Sequence, residues 1–83
     1  MMDLNIESRT IAIVNRLFNP LGKDVDRNTL LLQDLKMNSV ARLAFIVDLE
    51  DEFDMDISEV ATCMFATVGE FIEHIKTRKS ATA

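Results

Sequence analysis

Tryptophan and tyrosine are absent from this 83-residue chain, which has one proline, one cysteine, one histidine and two glycines. So few turn residues and aromatics argue against a sandwich or barrel and favour helices. The lone thiol, Cys63, has no partner for an internal disulfide and no histidine beside it. It reads as a core or semi-buried residue rather than a nucleophile. Positive charge is also scarce: 9 Lys and Arg stand against 14 Asp and Glu, for a net charge of −5. That balance disfavours nucleic acid, whose binding domains show a basic stripe, and suits a basic protein partner. No long apolar run suggests stable membrane insertion, and no secretion signal is evident, so the expected setting is reducing and cytoplasmic.

Catalytic and metal-binding patterns are equally sparse. There is no glycine-rich phosphate loop and no zinc-spaced cluster of Cys and His. His74 has no acid–base neighbour in sequence and reads as a surface or half-buried residue. The acidic run around Asp54, Asp56 and Ser58 invites a calcium-loop reading, but the sixth place is Glu59 rather than Gly and the twelfth is Phe65 rather than Glu. A solvated acidic helix face accounts for that run better.

What is present is helical periodicity. Ile6, Ile11, Ile13, Val14, Leu17 and Phe18 recur at steps of three and four, which predicts an amphipathic helix with Asn5 or Ser8 as its cap. Pro20 and Gly22 should stop it. The connection over residues 25–38 is too apolar to lie loose in water. Leu31, Leu32 and Leu35 are expected to fold over the core as a packed loop with a short helical turn.

A second helix should start near Ser39, capped by Asn38, with a core-facing stripe of Val40, Leu43, Ile46 and Phe53. Phe45 and Leu49 would contribute in part, and Val47 would sit at the rim. Ser58 can cap a short third helix with Glu59 in its first turn. Thr67 and Glu70 form a T-x-x-E capping box ahead of a buried stripe of Val68, Phe71, Ile72 and Ile75. Residues 79–83 read as a frayed tail. The expectation is one all-α domain over residues 1–83, with a core of about 5–78: a four-helix bundle of three main helices, one short helix and a long first loop.

Two readings of Ser39 follow. It is either a helix-start residue only, or a serine presented for use. The segment "DLKMNSVARLAFIVDLEDEFDMDIS" resembles the central motif of the acyl carrier proteins, D-L-G-x-D-S-L, then an apolar helix, then E-E-E-F-D/G-x-x-I. Asp34, Leu35, Ser39, Leu49, Glu50, Glu52, Phe53, Asp54 and Ile57 fall at the matching places without a gap. "TVGEFIEHI" is similar to that family's last-helix start, and "VDRNTLLLQDL" resembles its connecting loop.

The resemblance implies a non-catalytic carrier with 4′-phosphopantetheine, taken from coenzyme A, attached to Ser39. An exposed serine at a helix N-terminus suits a phosphodiester, because the helix dipole and free N–H groups face it. The implied partners are a phosphopantetheinyl transferase, acyl-loading ligases or transferases, and synthase-type enzymes, served by a monomer.

Lys36, Asn38 and Val40 replace the family's Gly, Asp and Leu, and Ala41, Arg42 and Ala44 replace a commonly acidic stretch. This leaves the helix start locally basic and favours a dedicated carrier in a specialised fatty-acid, lipid or polyketide-type pathway. Docking is expected to involve Lys36, Asn38, Val40, Arg42, Val47, Glu50 and Asp51. Peptidyl carriers are related, but their glycine-rich motif is missing here. An unmodified helical adaptor for basic proteins is the competing class. Phe71 stands where the family often has a small residue, so the rings of Phe45, Phe65 and Phe71 are expected to fill space an acyl chain would need.

Overall fold

The computed structural model describes residues 2–18 and 24–82, with side chains described over 5–18 and 24–79. Four helices follow in order among these residues: α1 (Met2–Phe18), α2 (Ser39–Phe53), α3 (Glu59–Thr62) and α4 (Val68–Thr82). The all-α reading holds. The expected stop at Pro20 and Gly22 lies outside the described residues.

α1 buries Ile6, Thr10, Ile13 and Val14, with Ile11 and Phe18 packed at the edge. Leu17 points outward, while Thr10 takes a core position because its hydroxyl donates to the Ile6 carbonyl at 2.7 Å. A buried hydroxyl is tolerated when it is bonded in this way. Asn5 and Ser8 are not caps, since the helix already runs from Met2. Both are exposed mid-helix, where short polar side chains facing water do not break the ladder.

The connection packs as expected in most of its length. A turn over residues 31–35 carries an Asp34 N–H to Leu30 carbonyl bond of 3.0 Å. The Asp34 carboxylate in turn accepts from the Leu30 N–H at 2.9 Å. Leu31, Leu35 and Met37 are buried. Leu32 is not: the turn sends Leu31 and Leu35 inward and leaves Leu32 70% exposed. The turn closes through Lys36, whose φ of 57° is left-handed. That is a conformation glycine adopts without steric cost.

The loop is also tied to the start of α4. Leu31 donates to the Ala66 carbonyl at 2.9 Å, Val68 to the Thr29 carbonyl at 3.1 Å and Gly69 to the Arg27 carbonyl at 2.8 Å. Arg27 bridges Glu7 of α1 and Glu73 of α4 through its guanidinium. The hydrogen bond from Arg27 holds the Glu73 carboxyl below the usual carboxylate range.

α3 and α4 begin as their sequences require. Ser58 accepts from the Ala61 N–H at 3.1 Å. Thr67 and Glu70 satisfy each other's backbone donors at 3.3 and 3.2 Å. Val68, Phe71, Ile72 and Ile75 are all buried. α4 runs to Thr82, so the segment expected as a tail from residue 79 starts within the helix. Ser, Ala and Thr carry no helix-breaking geometry, and Ala is the best helix former. Ala83 lies outside the described residues. Cys63 is exposed, not buried, because it follows α3 as its C-cap while Thr62 takes the inward place.

Candidate functional site

α2 is rotated from the expected orientation. Phe45, Ile46, Leu49 and Phe53 form its buried face. Val40 is 75%, Leu43 43% and Val47 57% exposed. The larger rings at 45 and 53, with Leu49 between them, turn the helix. Val40, Leu43 and Val47 then fall on the opposite side at steps of three and four. Asp51 is one further step along that line and is exposed. Val60 and Met64, in and just after α3, are exposed apolar residues as well.

Ser39 is the first residue of α2 and is exposed. Asn38 has extended backbone, and its side-chain oxygen accepts from the Ala41 N–H at 2.8 Å. That leaves the N–H groups of Ser39 and Val40 without a partner among the described residues, as a first helical turn requires. An exposed hydroxyl beside two open N–H groups at the positive end of a helix fits an attached phosphodiester. The burial of Leu35 and Met37 and the Asn38 cap, all just ahead of Ser39, fix where that hydroxyl stands.

The charges around the site are placed differently from the expectation. Arg42 does not offer free positive charge. Its guanidinium donates to the Thr62 carbonyl at 2.9 Å and the Phe65 carbonyl at 3.3 Å, stapling α2 to the segment between α3 and α4. Along α2, Asp48 pairs with Arg16 at 2.8 Å, and Glu52 pairs with Arg9. Arg9 also lies over the Phe53 ring at 4.8 Å. Glu50 accepts from the Ile57 N–H at 2.8 Å, which turns the chain into α3. Much of the acidic run is thus engaged within the fold, and Asp51 has no partner among the described residues. Lys36 remains exposed.

Sequence reasoning missed the staple at Arg42, the cap at Glu50 and the outward position of Leu43. The signal for Leu43 was its spacing of four from both Ser39 and Val47.

A family profile described as "Phosphopantetheine attachment site" matches residues 9–75. The chain belongs to the acyl carrier protein family. It is 36% identical over 75 residues to the acyl carrier protein of an Exiguobacterium species, covering 87% of this chain and 95% of that one. It is 38% identical over 58 residues to the acyl carrier protein of Chlamydia felis, covering 70% and 74%. A solved structure from Mycobacterium tuberculosis, assigned to the same proteins, superposes with a TM-score of 0.78 at 28% identity, covering 87% and 96%.

Family membership makes this chain a non-catalytic carrier with a covalently attached 4′-phosphopantetheine group. It implies dealings with a phosphopantetheinyl transferase and with acyl-handling enzymes in general. Among the described residues no helix is long and apolar enough to cross a membrane.

Proposed function

We propose that this carrier holds its arm on Ser39, within a single domain over residues 1–83, and serves a specialised fatty-acid, lipid or polyketide-type pathway in the cytoplasm. The observation that carries the site is the exposed hydroxyl of Ser39 in the first turn of α2, beside two open N–H groups. The arm supplies a thiol on which acyl groups ride as thioesters. The chain's own residues present that arm: Asn38 fixes the helix start and Lys36 lends local positive charge. The specialised pathway is supported by the departures at Lys36, Asn38 and Arg42, and by the apolar rather than acidic surface that follows Ser39 on α2.

Partners that act on the arm must approach Ser39, so the docking surface is the α2 face of Val40, Leu43 and Val47, ending on Asp51. Arg42 and Glu50, expected from the sequence at the docking surface, support the fold beneath that face through their bonds to the Thr62 carbonyl and the Ile57 N–H. The proposal is tested with a broad-specificity phosphopantetheinyl transferase and coenzyme A, followed by intact mass. One arm should be added to the wild type and none to Ser39→Ala. Val47→Asp should slow the transfer more than Asp51→Lys does, because the face is mainly apolar and a single charge steers weakly in salt. A mass gain that persists in Ser39→Ala rules out the site. Equal rates for Val47→Asp and the wild type move the docking face elsewhere.

A further inference from the structure

We propose that this carrier keeps its acyl cargo outside the helices, so that its substrates are short or polar acyl groups rather than long alkyl chains, and that Phe71 and Arg42 enforce this. The inference rests on Ser39 as the point of attachment and goes on to name the class of cargo.

One way for a chain tethered at Ser39 to enter the core is to part α2 from the segment that runs from α3 into α4. Arg42 stands one turn beyond Ser39 and bridges that line. Its guanidinium holds the Thr62 and Phe65 carbonyls at 2.9 and 3.3 Å. Entry along that line requires two charge-assisted hydrogen bonds to be given up at the outset.

Behind the staple the space is occupied by rings. Phe65 meets Phe71 edge-on with centroids 5.1 Å apart, and Phe71 meets Phe45 at 5.0 Å. Phe18 continues the row at 6.2 Å from Phe45, and His74 flanks Phe65 at 5.6 Å on the other side. These are the separations of rings in edge-to-face contact. Phe45 and Phe71 are fully buried. Their row runs from α1, through α2 and α4, to the α3–α4 segment, so it crosses the bundle rather than lining one wall of it.

Interiors are close-packed, and an alkyl chain takes up space only where side chains yield it. Here every ring of the row is braced by the next. Moving Phe71 would disturb Phe45 and Phe65 together. Against this, the exposed face of Val40, Leu43 and Val47 lies directly after Ser39. It can cover a few carbons from outside without any rearrangement.

The test loads the full chain in one step, with a broad-specificity transferase and either acetyl- or octanoyl-coenzyme A. Intact mass reports attachment, and Tm and NMR shifts report where the acyl group lies. The wild type should show the same Tm in both forms, with octanoyl-specific shifts confined to Ser39 and the exposed face of α2. Phe71→Ala, which opens the row, should gain an octanoyl-specific rise in Tm of roughly 5 °C, because a chain bound inside stabilises the folded state. Should Phe71→Ala not fold, Phe65→Ala and Arg42→Met open the outer part of the route and should show octanoyl-specific shifts at Phe71.

An octanoyl-dependent rise in Tm, with shifts at Phe45, Phe71 and Ile72, in the wild type overturns the proposal. So does an open variant that takes in no chain, since the rings would then not be the barrier. Failure of the attachment reading shows separately, as a wild type that gains no mass, and it removes the present inference with it.

Discussion

Replacing Arg42 by Met keeps most of the side chain's apolar length and removes the guanidinium that holds two backbone carbonyls. The two losses are unequal. The Thr62 carbonyl still accepts from the Phe65 N–H at 3.1 Å, so it keeps one partner. The half-buried Phe65 carbonyl has no second donor among the described residues. A hydrogen bond from a charged donor contributes about 1.5–3 kcal/mol, less where the acceptor stays paired or meets water. We expect a total loss of about 2 kcal/mol for Arg42→Met. In a domain of this size that corresponds to a fall in Tm of roughly 8–16 °C. Arg42→Lys places one ammonium where two N–H groups diverged, and should lose about half as much.

Thermal unfolding followed by circular dichroism reads the size of the effect, and amide hydrogen exchange reads its place. The Cys63 and Phe65 amides should lose protection before those of α1 and α4. A fall in Tm below about 3 °C for Arg42→Met, or exchange that rises uniformly over the chain, would show that the staple does not hold α3 to α2.

Three further predictions concern the fold around the site. In Gly69→Ala the new Cβ would lie 2.7 Å from the Arg27 carbonyl oxygen, so the loop must shift. Urea unfolding should register a loss of about 1–3 kcal/mol, and an unchanged midpoint would mean that the loop is not pressed against α4. At Lys36, with φ of 57°, glycine relieves the left-handed conformation but adds unfolded-state freedom. Lys36→Gly should therefore raise stability by up to about 1 kcal/mol, and Lys36→Val should lower it by about as much or more, with the reverse order refuting the turn. Burial, and secondarily the charge of Arg78, hold the His74 imidazole below its ordinary pKa of 6.5. A base whose pKa is depressed by folding contributes stability that is complete above the unfolded pKa and is lost as pH falls through the folded one. Urea midpoints measured at about pH 7.5 and about pH 5 should thus differ less in His74→Gln than in the wild type. An equal difference in both would assign the pH dependence to other groups.

Much of this was legible in the sequence because local chemistry decides it. The caps at Asn38 and Ser58 and the box of Thr67 with Glu70 depend on side chains reaching their own helix N-termini, and all three form. The last helix's stripe was legible for the same reason, since Val68, Phe71, Ile72 and Ile75 admit one face only. α2 was not, because seven apolar residues over its length allow several faces. Which of them turns inward depends on the rings of α1 and α4 that meet Phe45. The acidic run of α2 was readable as charge but not as structure. Its partners Arg9 and Arg16 come from another helix, and the bond from the Ile57 N–H to Glu50 crosses a turn. Ser39 was legible as a position through the spacing of its motif. What surrounds it, an apolar face with its arginine turned inward, required the packed structure.

Carrier function in this chain turns on Ser39 as the residue that bears the arm. The most direct measurement is peptide mapping by tandem mass spectrometry of the chain isolated from cells that also make a phosphopantetheinyl transferase. One phosphopantetheine is expected on the peptide containing Ser39, with fragment ions that place it on that residue. An unmodified Ser39 peptide, or a phosphopantetheine on any other residue, would contradict it.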